Sequence, residues 1–62
     1  MPMTPKNMIK LLKNNGFEVI SSNGSHFKLR NYTTKKTVIV PMHCKDLKKG
    51  TEENILKMAG LK

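Results

Sequence analysis

The residues best able to do chemistry are Asn23-Gly24-Ser25-His26, followed by Phe27-Lys28-Leu29-Arg30. Asn23-Gly24 is a strong hairpin signal, because both residues tolerate positive φ. The stretch after it alternates between apolar and basic residues. Side chains of a strand point to opposite faces with period 2. Phe27 and Leu29 therefore share one face, and His26, Lys28 and Arg30 share the other. Imidazole is the side chain that exchanges protons near neutral pH. Here it lies on a surface that attracts phosphate. A neutral imidazole can take the proton of a ribose 2′-hydroxyl, and an imidazolium can protonate a leaving oxygen. RNA supplies its own nucleophile, so cleavage needs a positioned acid or base and cations for the developing phosphorane charge. Spacing alone leaves open a surface histidine with no role.

The other candidates fall in around His26. Gly24 allows the turn, and its N–H, together with the Ser25 hydroxyl, can contact phosphate. No third member of a nucleophilic triad accompanies Ser25. His43, in Pro41-Met42-His43-Cys44, is a possible second acid or base, but a structural role fixing its loop is favoured. Lys28, Arg30, Lys35 and Lys36 are expected to gather around the open sheet face and the second turn, as phosphate contacts. Tyr32 can stack on a base or pack at the turn edge. One cysteine and two histidines at no zinc-type spacing argue against a metal site, and no cofactor is expected.

These residues need elements to hold them. Thr4 is a good N-cap and Pro5 suits the first helical position. Met8, Leu11, Leu12 and Asn15 recur at helical spacing, and Asn14-Asn15-Gly16 is a stop signal. Strands are expected at Phe17–Ser22, Ser25–Asn31 and Thr37–Val40, the last β-branched throughout. Tyr32–Lys36 forms the second turn, and Pro41 ends the ladder. Met42–Gly50 reads as a connecting loop with basic Lys45, Lys48 and Lys49. The last helix is expected to begin with Thr51 as N-cap, with Glu52 and Glu53 in its first turn and Gly60 as its cap. The order α-β-β-β-α with short connections gives an α+β fold: a two-layer domain with a three-stranded antiparallel sheet and both helices on one face. The other face is left open.

Sixty-two residues make at most one domain, 1–62. Such a chain buries only about 60% of the surface its unfolded form exposes. The expected core is Met8, Ile9, Leu11, Leu12, Phe17, Val19, Ile20, Phe27, Leu29, Val38, Ile39, Val40, Ile55, Leu56, Met58 and Leu61. That fills two layers and leaves no room for a deep cofactor pocket. Twelve Lys and Arg against four Asp and Glu give a net charge of +8, which points to a polyanionic partner. A generically soluble basic protein is the plainer alternative. No basic segment carries the broad apolar face of a membrane-surface helix, and Val38-Ile39-Val40 is far too short to span a bilayer. The amino terminus lacks the pattern of a signal peptide. With Cys44 the single cysteine, a reducing cytoplasm is the expected compartment.

Taken in order, several motifs resemble the HicA toxin family, the small ribonucleases of HicA–HicB toxin–antitoxin systems. They are Gly16-Phe17 after the first helix, Gly24-Ser25-His26, Val40-Pro41-x-His43, and Leu47-Lys48-Lys49-Gly50-Thr51 running into Ile55-Leu56-Lys57-x-Ala59-Gly60-Leu61. The match spans almost the whole chain. The resemblance implies a double-stranded-RNA-binding-domain-like fold and translation-independent cleavage of mRNA that arrests growth. It also implies catalysis by the histidine at position 26 and a HicB-like antitoxin that covers the active site. The runner-up is a non-catalytic RNA-binding module of the same fold, which would need the basic face but not His26.

Overall fold

The computed structural model describes residues 3–42 and 45–62. Its elements are α1 (Pro5–Asn14), β1 (Phe17–Asn23), β2 (His26–Asn31), β3 (Lys36–Pro41) and α2 (Lys49–Met58). The strands form one antiparallel sheet in chain order, β1-β2-β3. This is the expected α-β-β-β-α order, and it matches the double-stranded-RNA-binding-domain-like fold. Among the described residues no helix is long and apolar enough to cross a membrane.

The first helix follows its local code. Thr4 Oγ1 accepts a hydrogen bond from the Asn7 N–H at 3.2 Å, and Pro5 opens the helix. Gly16, at φ +90°, turns the chain out into β1. Met8 and Leu12 point into the core, where they meet Phe17 of β1, Leu29 of β2, Val38 and Val40 of β3, and Ile55 and Ala59 from the second helical segment. Both helices therefore pack on one sheet face. Leu29 is 0% exposed, whereas Ile39 on the opposite face is 53% exposed.

The second helix departs from its expected start. Thr51 is not the N-cap; Lys48 occupies that position without a side-chain capping bond. The Glu52 N–H already bonds the Lys48 carbonyl at 2.8 Å, so Gly50 and Thr51 lie inside the first turn. The cause is tertiary. Leu47 is buried in the core, and its N–H donates to the Met3 carbonyl at 2.7 Å. The chain is thus pinned just before Lys48 and enters the helix there. Glu53 consequently falls beyond the first turn, which holds Glu52 alone, and pairs with Lys62 at 3.0 Å. The other end is as expected. Gly60 sits at φ +78°. Its N–H bonds the Lys57 carbonyl and the Leu61 N–H bonds the Leu56 carbonyl, closing a Schellman motif.

The core is smaller than expected at five positions. Val19, Ile20, Ile39, Met58 and Leu61 are exposed, while Leu47 and Ala59 are buried in their stead. Val19 lies on the edge strand β1, beside its register shift. Ile20 falls at the register shift of β1 between Val19 and Ser21, where the extra residue has no partner on β2. Ile39 alternates onto the open face, and Met58 and Leu61 lie where the last helix ends.

One buried polar side chain closes the fold at the end of the sheet away from His26. Asn31 Nδ2 donates to the Asn15 carbonyl at 3.0 Å. Its Oδ1 accepts from the Thr33 and Thr34 N–H groups at 2.9 and 3.1 Å. It ties the end of α1 to the β2–β3 turn. Removing it strands three backbone groups, each costing about 1 kcal/mol or more. Asn31→Ala should therefore lose about 2–3 kcal/mol, and thermal denaturation should show a drop of ten degrees or more. Asn31→Asp keeps the two turn bonds and loses only the one to Asn15, so its melting point should fall between. An unchanged melting point for Asn31→Ala would contradict this.

Candidate active site and nucleic-acid face

The first hairpin positions the site. Its loop has two residues, Gly24 and Ser25, because Asn23 pairs with His26. The expected central pair Asn23-Gly24 is therefore shifted by one. Gly24 takes φ +59°, and among the described residues Lys35 alone is a non-glycine at positive φ. This is the type II′ pattern, which requires positive φ only at the first central position. A Cβ at Gly24 would meet nothing within 4 Å. The demand for glycine there is conformational rather than steric.

The turn is also tied from the far side. The Met42 N–H, just past β3, donates to the Ser25 carbonyl. The Ser25 hydroxyl lies 3.3 Å from His26 Nδ1. His26 is exposed, at the start of the central strand, with Asn23 opposite it on β1 and Pro41 opposite it on β3.

Along β2 the same face continues without a register break against β3. Lys28 lies between Ser21 and Ile39, and Arg30 between Glu18 and Thr37. The Arg30 guanidinium donates to Thr37 Oγ1 at 3.1 Å. It also lies over the Tyr32 ring, 5.6 Å from the centroid. At about 3.4 Å per residue, His26 and Arg30 are roughly 14 Å apart along the strand.

The structure thus brings Gly24, Ser25, His26, Lys28 and Arg30 to one turn and one face. Lys35 lies in the second turn, exposed, in the left-handed conformation at φ 61°. Lys36 does not join the open face. It pairs with Asn31 and shares its face with Val38 and Val40, on the helix side. A Cβ at Gly60 would come within 3.0 Å of its Cε, so its stem runs beside the end of α2. His43 and Cys44 lie outside the described residues. Among the described residues no three or more His, Cys, Asp or Glu side chains are grouped so as to hold a metal ion.

A family model described as the HicA toxin of bacterial toxin-antitoxin matches residues 5–61. The chain belongs to the HicA toxin family. No curated protein matches it. The family assignment makes this a toxin-type domain whose counterpart is an antitoxin. Each of the residues that carried the resemblance falls within the matched span.

Three contributors to the site were not singled out from the sequence. Thr37 holds Arg30, Met42 anchors the Ser25 backbone, and Glu18 faces Arg30 across β1. All three follow from strand register. The Asn23-Gly24 signal locates the hairpin but does not by itself fix which pair sits at its centre.

Proposed function

We propose that this chain is a metal-independent endoribonuclease that cleaves mRNA in the cytoplasm and so arrests translation, with His26 as its general acid/base. The observation that carries this reading is the placement of His26. It stands on the open basic face, at the head of the central strand, with Nδ1 beside the Ser25 hydroxyl.

That contact suits both halves of the reaction. A hydroxyl rotates, so it can accept from Nδ1–H or donate to a bare Nδ1. In the first state Nε2 is the base that takes the 2′-hydroxyl proton. The 2′-oxygen then attacks the adjacent phosphorus, and the 5′-oxygen leaves with a proton from an imidazolium. Lys28, two residues along on the same face, is positioned to offset the charge that develops on the phosphorane oxygens. The Gly24 N–H and Ser25 hydroxyl are assigned to the phosphate, with Arg30, Lys35 and Lys36 along the RNA. Of these, Lys36 would act from the helix side of the sheet rather than from the open face. His43 remains a possible secondary group.

The carboxylates argue for chemistry without metal. Glu18 is on β1, Asp46 lies in the loop before α2, and Glu52 and Glu53 are on α2. Two-metal nucleases need several acidic ligands converging on one point. Cleavage should therefore proceed in excess chelator and leave 2′,3′-cyclic phosphate or 3′-phosphate ends. A single 2′-deoxy substitution at the scissile ribose should block it. Mapping product ends with and without chelator tests the reading, and an all-DNA strand cut at a similar rate would overturn it.

A further inference from the structure

We infer that Arg30 and Tyr32 form a nucleobase-stacking subsite on the open sheet face, a few nucleotides from His26, that selects unpaired RNA. This rests on the reading of that face as the RNA site and adds a substrate class to it.

Four observations carry it. First, the pair is built. The guanidinium is held at two points, by its bond to Thr37 Oγ1 at 3.1 Å and by its place 5.6 Å over the Tyr32 ring. Second, Tyr32 is 60% exposed at the strand end, so a flat surface remains open to solvent. Third, Arg30 is half-buried on the central strand, in register with Glu18 of β1, and its planar, weakly hydrated guanidinium suits stacking on an aromatic ring or a base. Fourth, the route from this pair to His26 is lined by Lys28 and by exposed Ile39. A cation beside an apolar side chain suits a backbone phosphate beside a base or ribose.

The geometry also decides between substrate forms. Bases inside an A-form duplex are stacked on each other, and their faces are closed to a side chain. Only an unpaired strand can turn a base onto an aromatic ring and an arginine plane. The subsite therefore contributes nothing to duplex binding.

Tyr32 is its own reporter, since the chain has one tyrosine and no tryptophan. The experiment uses the His26→Ala protein, so that RNA stays intact, and follows tyrosine fluorescence during titration with a short single-stranded RNA and with the same RNA annealed to its complement. The single strand should quench the emission at saturation and the duplex should leave it nearly unchanged. Affinity measured separately by anisotropy of labelled RNA should fall about tenfold to a hundredfold in Tyr32→Leu. Tyr32→Phe should bind like the parent. The slope of log affinity against log salt should be the same in all three, because no phosphate contact is lost. Binding without quenching, equal quenching by duplex, or an unaltered affinity in Tyr32→Leu would overturn the subsite while leaving the ribonuclease reading intact. No RNA binding at all would overturn both.

Discussion

Replacing His26 by alanine should reduce RNA cleavage by about 10²–10⁴-fold, the usual worth of a positioned acid or base. The fold should survive the change. His26 is exposed at the end of the sheet and belongs to no part of the core, and surface substitutions of this kind usually stay within about 0.5 kcal/mol. His26→Gln sharpens the test, because it keeps a polar side chain of similar reach but cannot carry a proton through the reaction. It should be as inactive as the alanine variant. Both proteins should still bind RNA, since the basic residues are untouched. Cellular toxicity should disappear with the cleavage. A folded His26→Ala protein that cuts RNA at the parent rate would remove His26 from the mechanism and leave only an RNA-binding surface.

The second large effect concerns the partner. The proposed ribonuclease activity would harm the cell that makes it, and membership of a toxin family implies an antitoxin. A HicB-like antitoxin should abolish cleavage by sitting on the open face over His26, Lys28 and Arg30. Acidic or polar groups on the antitoxin would complement the net charge of +8 and speed its capture. A standard interface buries about 800 Å² per partner, roughly a fifth of the 4370 Å² surface of the described chain. Occlusion is the natural route to inhibition, because a single sheet backed by two short helices has few parts that can move apart. At a hundredfold excess over Kd the complex gains about 2.7 kcal/mol, which in a domain this small raises the melting temperature by about ten degrees or more. Residual cleavage at saturating antitoxin, or a complex that leaves the face uncovered, would speak against occlusion.

How much of this was legible in the sequence depends on how local the cause is. Thr4, Pro5 and Gly16 bound the first helix through chemistry contained within a few residues, and their reading agrees with the structure. The alternation of β2 is equally local. It put His26, Lys28 and Arg30 on one face, and the ladder to β3 runs through that stretch without a bulge. β3 was harder. Thr37, Val38, Ile39 and Val40 are all β-branched, so composition does not reveal which pair faces inward. Parity there is set by the four-residue turn, with Lys35 in the left-handed region. It sends Val38 and Val40 to the core, leaves Ile39 outside, and carries Lys36 to the helix side. The start of the second helix was illegible for a different reason. Lys48 bears no capping side chain, and its place is fixed by buried Leu47 and the bond back to Met3. The Asn31 bridge likewise joins residues that no short window contains.

The chain-order sheet sets a time scale as well as a shape. Every strand pairs with its neighbour in sequence through a short turn, and hairpins of this kind close in about 1–10 μs. Only the docking of the helices requires distant segments to meet, and local topologies fold fast for their size. A chain that leaves a degraded partner unfolded would regain its structure long before a ribosome adds the next few residues to a replacement. For such a molecule the delay between losing its restraint and becoming dangerous is governed by the lifetime of the restraint, and hardly at all by refolding.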